Sequence, residues 1–288
     1  MELVRSGVAA VLCALAAAGA PELLFTDEGN GRIVRYDAEG KIVWEYPAEV
    51  ARDVWMLPNG NVLFPYSIRN GADNAETGAM EVTPDKRVVW QFKTHGQVYS
   101  CQRMADGNTL VGATEQGKLL IVSPAGEVVR SFAIRNAAAG HGSMRNVRAL
   151  ADGHFLVAEE NAKAAREYDA EGNFLREFKT PFPTYSAVRL PSGNTLTCGL
   201  KGVMEFDAQG AAVWAMTDQD VPELGIRWFA GIQVLPNGNL LVCNAGGKVP
   251  FAEINRDKKI VWQADPGVYA SRIGHGIQCL GLAGAPLK

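Results

Sequence analysis

The chain has 288 residues, of which 47% are hydrophobic and 20% are charged, a composition typical of a soluble globular protein. The net charge is −3 and the pI is about 5.9, and because no basic run is present, the charge pattern argues against a nucleic-acid partner. The length suffices for one large domain or two small ones.

The first twenty residues have the pattern of an export signal. Arg5 precedes an apolar run over residues 8–20 that ends in Ala18, Gly19 and Ala20. This run of 13 residues is too short to span a bilayer, whereas a short apolar run before an A-x-A site is typical of a signal peptide. The sequence therefore predicts a signal peptide over residues 1–20, no membrane span, and a mature protein that is periplasmic or secreted.

Two phrases alternate along the rest of the chain. The first appears as "MLPNGNVLFPY" from Met56 and as "VLPNGNLLVCN" from Val234, and its turn glycine recurs at intervals of 47, 46, 40 and 45 residues. The second phrase occurs six times, for example as "DAEGKIVWEY" from Asp37. Each phrase places apolar, strand-forming runs on both sides of a tight-turn sequence, which predicts a β-hairpin. The turn glycines of the first phrase are Gly60, Gly107, Gly153, Gly193 and Gly238.

One unit of two phrases holds four short strands in about 45 residues, which is typical of a propeller blade. The 268 residues after residue 20 accommodate six units. The first unit has only three strands, and "RIGHGIQCL" from Arg272 supplies the fourth, because it aligns with "WFAGIQVL" from Trp228. The sequence predicts an all-β fold: a monomeric six-bladed β-propeller of four-stranded antiparallel blades, forming a single domain over residues 21–288. Pairing of residues 272–280 with residues 23–27 would close the ring and remove two exposed sheet edges.

Aromatic residues recur at one position of the fourth strand. Because the position is filled in every blade, we expect its side chains to pack between sheets and not to bind a ligand. The residues at this position are Trp44, Trp90, Arg130, Arg176, Trp214 and Trp262.

Four cysteines remain once Cys13 is assigned to the signal segment: Cys101, Cys198, Cys243 and Cys279. An even number of cysteines in an exported protein is compatible with disulfides. However, all four lie in apolar strand patterns, so we expect buried thiols that act as small hydrophobic residues.

The candidate site lies at the start of the first strands, where a propeller crowds its central channel. In most blades, a polar or large residue occupies the position eight residues before the turn glycine, and the next position is also polar in most blades. A position that served only to build the blade would repeat one type of apolar residue. The sequence therefore predicts a polar, partly cationic mouth that binds a small anionic or aromatic molecule. The predicted ligand-binding residues are Arg52, Asp53, His95, Tyr99, Arg145, Asn146, Tyr185 and Trp228, and the candidate catalytic residues are His141 and His275.

Acidic and amide residues near the mouth leave a divalent metal open as an alternative, although no cofactor is predicted. The ligands of such a metal would be Asp27, Asn146, Glu159 and Asn244, if they converge. The competing interpretation is that acidic residues near the axis neutralise the arginines.

The phrases "LPNGNVLF", "VVWQF" and "TDEGNGRIVRYDAEGKIVWEY" resemble exported bacterial propellers of the PQQ-like and arylsulfotransferase-like superfamily. The resemblance covers almost all of the predicted mature chain. It implies that His275 or His141 would accept a sulfuryl group, with Arg145 and Asn146 holding the sulfate, by their location on the blades and not by a matching local motif. The chain has no adjacent cysteine pair, which argues against bound PQQ.

Two classes of function follow from this sequence. The favoured one is a binding module for a small molecule or a protein. The alternative is an enzyme at the channel mouth, acting by sulfuryl transfer through a histidine or by metal-assisted hydrolysis of a lactone or ester.

Overall fold

A computed structural model describes residues 20–70, 73–135 and 140–288. The predicted signal peptide, except for Ala20, lies outside these residues. No helix in the described residues is long and apolar enough to cross a membrane.

The described residues form six four-stranded antiparallel sheets arranged as a propeller, which confirms the predicted fold class. Blade 1 contains β1 (Leu23–Asp27), β2 (Arg32–Tyr36) and β3 (Ile42–Pro47), and it is completed by β24 (Gly274–Cys279). Blade 2 contains β4 (Trp55–Met56), β5 (Val62–Asn70), β6 (Asp73–Val82) and β7 (Val88–Thr94). Blade 3 contains β8 (Val98–Arg103), β9 (Thr109–Ala113), β10 (Lys118–Val122) and β11 (Val128–Ala133).

Blades 4 to 6 repeat this order. Blade 4 contains β12 (Asn146–Ala149), β13 (Phe155–Glu159), β14 (Ala164–Tyr168) and β15 (Phe174–Lys179). Blade 5 contains β16 (Thr184–Arg189), β17 (Thr195–Gly199), β18 (Gly202–Phe206) and β19 (Ala212–Thr217). Blade 6 contains β20 (Phe229–Val234), β21 (Leu240–Asn244), β22 (Phe251–Ile254) and β23 (Ile260–Gln263). Three short 3₁₀ helices within the described residues cover Glu28–Asn30, Asp218–Asp220 and Pro222–Leu224.

The ring closes as predicted. Strand β24 pairs with β1 in an antiparallel register that sets Leu23 opposite Cys279 and Phe25 opposite Ile277. Gly60, a turn glycine of the first phrase, has a φ of 81°, a value that favours glycine. In two copies of the second phrase, a lysine stands where the other copies have the turn glycine. These residues, Lys86 and Lys258, have φ values of 67° and 63°.

The core lies between the blades. Six clusters of buried hydrophobic residues fill the spaces between neighbouring blades in the described residues. The four cysteines of the strands are buried in these clusters as free thiols, as predicted. The outer-strand position also bridges blades: Trp44 Nε1 donates to the Pro84 carbonyl at 2.9 Å, and Trp214 Nε1 donates to the Arg256 carbonyl at 3.0 Å. Trp44 and Trp214 therefore join one blade to the next by hydrogen bonds, whereas the buried Nε1 of Trp90 has no hydrogen-bond partner in the described residues.

Candidate functional site

A cavity of about 340 Å³ lies at the face where the first strands begin. The loops after the second strands open on the same face, so the two sets of loops surround the cavity together. The predicted residues that line it are Arg52, Asp53, His141, Arg145, Asn146, Tyr185, Trp228 and His275. His95 lies apart from it: its side chain is exposed, and its carbonyl accepts a hydrogen bond from Gln116.

Tyr99 forms the wall behind two arginines. The Tyr99 side chain is buried, and its ring centroid lies 4.0 Å from the Arg52 guanidinium carbon and 5.1 Å from that of Arg145. The Arg145 guanidinium also lies 5.5 Å from the Tyr185 ring. These cation–π contacts restrict both arginine side chains before any ligand arrives.

Each of the two arginines is paired with a glutamate. Glu28 accepts hydrogen bonds from Arg52 Nε at 2.7 Å and from Arg52 Nη2 at 3.0 Å. Glu160 accepts from Arg145 Nε at 2.5 Å. The positive charge that the sequence predicts at the mouth is therefore balanced there by Glu28 and Glu160, in agreement with the competing interpretation of the acidic residues.

His275 and Glu28 form a carboxylate–histidine pair. The His275 Nε2 lies 3.0 Å from Glu28 Oε2. Burial alone would raise the pKa of Glu28, but the hydrogen bonds from His275 and Arg52 hold it well below its usual range. Burial lowers the pKa of His275, and the charge of Arg52 lowers it further against the opposing effect of Glu28. At neutral pH, His275 is thus a neutral imidazole whose Nε2–H faces a carboxylate, which leaves the lone pair on Nδ1.

His141 is held between Arg145 and Tyr99. Arg145 Nη2 lies 2.9 Å from His141 Nε2, and because a guanidinium only donates, Nε2 accepts this hydrogen bond. The Nδ1 atom lies 2.7 Å from the Tyr99 hydroxyl, which donates to Gln97 Oε1 at 2.5 Å. Burial and the Arg145 charge lower the pKa of His141. His141 is therefore also neutral, but its basic nitrogen is engaged by Arg145.

The floor of the cavity is a buried polar network at the centre of the channel. Asp53 accepts hydrogen bonds from Arg148 Nη1 at 2.7 Å, from Arg148 Nη2 at 3.1 Å and from Ser100 Oγ at 2.7 Å. The Lys288 ammonium lies 3.6 Å from Asp53 Oδ1. Burial alone would raise the pKa of Asp53, but the charges of Arg148 and Lys288 lower it. Burial lowers the pKa of Lys288 to about 8, against the opposing charge of Asp53.

Residues 281–288 lie across the opposite end of the channel. Leu287 forms an isolated β-bridge with Val234, and Arg148 Nε donates to the carbonyl of Lys288. The Lys288 side chain is 2% exposed, and its ammonium lies 4.4 Å from the centre of the Trp55 ring. This segment therefore lies against the far ends of the first strands, and Lys288 reaches the floor of the cavity.

The proposed metal ligands do not converge at the mouth. Asp27 accepts from Asn30 and Arg32, and Glu159 accepts from Arg166 Nη1 at 2.7 Å. Asn244 bonds to loop backbone, for example by donating to the Val249 carbonyl at 2.9 Å. Of the four candidates, Asn146 alone lines the cavity; with its amide oxygen turned toward Arg148, it accepts from Arg148 Nη2 at 2.7 Å.

Four charged residues that line the cavity were not among the predicted ligand-binding and catalytic residues: Glu28, Arg148, Glu160 and Lys288. A repeat signal could have identified two of them, because Glu28 and Glu160 each follow the last residue of a second strand. These are the residues next to Asp27 and Glu159. Since successive side chains of a strand point to opposite faces, the pair one residue further along reaches the cavity.

Asp152, His154 and Glu167 are a group of potential metal ligands within the described residues. His154 Nδ1 lies 2.9 Å from Glu167 Oε1. In blade 2 the repeat places Asn61 at the position of His154, and Asn61 Nδ2 donates to Glu81 Oε1 at 2.6 Å. Glu167 also accepts from Arg176 and Arg189. His154 therefore replaces a repeated asparagine in a turn-to-strand hydrogen bond, and this geometry needs no metal.

Comparisons with known proteins identify the architecture and no family. No family model matches the chain, and no curated protein matches it. A solved structure of a protein of unknown function from Bacteroides caccae is 23% identical, with a TM-score of 0.77 over 93% of this chain and 100% of that one. A catalytically inactive virginiamycin B lyase variant from Staphylococcus aureus, with quinupristin, is 13% identical, with a TM-score of 0.61 over 89% of this chain and 88% of that one. The WD40 β-propeller domain of Doa1 is 14% identical, with a TM-score of 0.55 over 88% of this chain and 93% of that one. At these identities the likeness shows the fold alone, that of a β-propeller.

Proposed function

We propose that this protein is a binding module that takes a small molecule into the cavity at the mouth of its channel. An acidic group of the ligand would bind Arg52 and Arg145, and its aromatic or apolar part would lie against Tyr185 and Trp228. The cavity volume of about 340 Å³ lies in the range of small-molecule sites, and its concave form supports a small molecule over a protein surface. We further propose that the binding takes place outside the cytoplasm and that the protein acts as a monomer.

The observation that carries this proposal is the state of Arg52. Its Nε and Nη2 atoms are fixed by Glu28 and its guanidinium is stacked on Tyr99, yet its buried Nη1 has no hydrogen-bond partner in the described part of the chain. A buried donor without a partner costs free energy, whereas a ligand acceptor that pairs with it recovers that cost. Because the side chain is already held in place, binding loses little conformational entropy.

Calorimetry with sulfate, phenyl sulfate and a sugar acid tests the proposal. In the Arg145→Ala variant we expect the binding free energy to weaken by about 1.5–3 kcal/mol, the range for a hydrogen bond to a charged group. Added salt should also weaken binding, though less than at an exposed ion pair. Arg87→Ala is a matched control, because Arg87 is 72% exposed and pairs with Asp85 on an outer turn. If none of the three compounds binds to the wild-type protein, or if Arg145→Ala unfolds it, the proposal fails.

A second candidate function, an enzyme, is favoured by the Glu28–His275 pair. A neutral imidazole oriented by a carboxylate is a suitable base or nucleophile, and His275 lines the cavity. In sulfuryl transfer, Nδ1 of His275 would bond to the sulfur of an aryl sulfate, the S–O bond to the aryl group would break, and the phenolate would leave. For metal-assisted hydrolysis, the described residues offer no matching carboxylate–histidine set at the mouth.

Phenol release from phenyl sulfate, measured with and without an acceptor phenol, tests the enzyme hypothesis. We expect His275→Gln to abolish release, while His95→Gln retains it, because His95 lies outside the cavity. Equal rates in the wild-type protein and the His275→Gln variant would rule out this role of His275.

A further inference from the structure

The charges at the mouth restrict the ligand beyond a requirement for an acidic group. Two arginines, Arg52 and Arg145, line the cavity together with Glu28 and Glu160. The nearby histidines are neutral at pH 7, because burial lowers the pKa values of both His141 and His275. A purely anionic ligand would therefore gain from two guanidinium groups while facing two carboxylates at close range.

Arg145 and Glu160 each keep an atom available for a ligand. The Arg145 Nε atom donates to Glu160 Oε2 at 2.5 Å, and its Nη2 donates to His141. The two side chains form an ion pair through Nε and Oε2, and within residues 20–70, 73–135 and 140–288 neither Arg145 Nη1 nor Glu160 Oε1 takes part in a hydrogen bond. A free donor and a free acceptor thus belong to two side chains that are fixed to each other.

The other side of the cavity is less polar. Trp228 and Ile232 line the cavity from blade 6, Ile273 lines it from the residue just before β24, and Tyr185 faces it from blade 5. Where blades 2 to 5 carry an arginine or a tyrosine and blade 1 carries His275, blade 6 has Ala230, which leaves room for a ligand body. The cavity therefore has a wall of paired charges opposite an aromatic and aliphatic wall.

We propose that the ligand is zwitterionic, with the head group of an α-amino acid on an aromatic body. This inference rests on the proposed function. The ligand carboxylate binds Arg52 Nη1 and Arg145 Nη1, its ammonium group binds Glu160 Oε1, and its ring lies against Trp228 and Tyr185. The ligand then pairs both with the arginine donors and with the glutamate oxygen, which a simple anion or a simple cation cannot do.

Calorimetry with three matched compounds separates the alternatives: phenylalanine carries both charges, 3-phenylpropanoate lacks the ammonium group, and phenethylamine lacks the carboxylate. We expect phenylalanine to bind about tenfold or more tightly than either of the others, because each missing charge leaves one charge-assisted hydrogen bond unmade. In the Glu160→Gln variant we expect phenylalanine to lose about tenfold in affinity, while 3-phenylpropanoate binds at least as well as to the wild-type protein.

The outcomes distinguish this inference from the proposed function. If 3-phenylpropanoate binds the wild-type protein as tightly as phenylalanine does, the zwitterion is wrong and the anion-binding module stands. If neither compound that carries a carboxylate binds, both statements fail for this ligand class. Glu39→Gln serves as the control variant, because Glu39 lies on an exposed outer turn. The comparison of ligands on the wild-type protein needs no variant, so the test does not depend on the folding of Glu160→Gln.

Discussion

Replacement of Arg148 by methionine should destabilise the whole propeller. The Arg148 side chain is 6% exposed and donates hydrogen bonds to Asp53, Ser100 and the Lys288 carbonyl. Methionine keeps an unbranched apolar stem of similar length up to the Nε position but removes these donors, so that Asp53 remains buried with the more distant Lys288 as its cation. Removal of one partner from a buried ion pair costs about 3–5 kcal/mol. We therefore expect the free energy of unfolding to fall by about that amount in urea titrations at pH 7.

The exposed pair of Arg87 and Asp85 provides the control for Arg148. The two side chains are 72% and 63% exposed, so Arg87→Met should cost less than about 1 kcal/mol. Adding Asp53→Asn to Arg148→Met should recover part of the loss, because the uncompensated buried charge is then removed. A loss below about 1 kcal/mol for Arg148→Met would show that the network does not hold the blades together.

Three further predictions concern ring closure, pH and export. Deletion of all residues after Ala270 removes β24 and exposes the edge of β1 that pairs with it, so we expect aggregation or a broad thermal transition; a sharp transition at the wild-type temperature would contradict the closure. Because the pKa of His275 is lowered in the folded state, the unfolded chain takes up the proton first as pH falls below about 6.5, and stability decreases in that window. His275→Gln should flatten this decrease between pH 7.5 and 5.5 in urea midpoints, and identical pH slopes for the two proteins would refute it. Mass spectrometry of the protein from its native host should show cleavage near Ala20, whereas an intact Met1 would argue against export.

The sequence predicts the fold well because each blade repeats local information. The turn glycines and the apolar runs are recognisable in short stretches of sequence, and so is the first unit, which starts near Glu22 with only three strands. Together they determine the number of blades and the closing strand. The positions that line the mouth are predictable for the same reason: Arg52, Arg145, Tyr185 and His275 share one place in the repeat and differ in residue type.

The pairing of charges at the mouth is harder to predict, because it depends on the direction of single side chains. Asp27 and Glu159 end their strands and point away from the cavity, and the next residues, Glu28 and Glu160, reach the arginines instead. Because side chains along a strand alternate between its two faces, a shift of one residue decides whether a side chain points toward the cavity or away from it.

The floor of the cavity shows a second limit of the sequence argument. Arg148 stands three residues after Arg145, and the equivalent residue of blade 3 is Gln102, which accepts a hydrogen bond from the Ala149 amide at 2.9 Å. The repeat therefore shows that blade 4 has Arg148 where blade 3 has a glutamine. Its pairing with Asp53, 95 residues away, depends on the closed ring.

Residues 281–287 lie at the far ends of the first strands, and Lys288 lines the cavity, so the end of this segment lies between the cavity and the far side of the channel. A ligand of the proposed site that enters and leaves on the side of the mouth would pass the loops that carry His141 and Trp228. A bound molecule with a long substituent would have to keep that substituent outside the mouth. One end of such a compound would lie in the cavity and the other end would stay accessible to solvent.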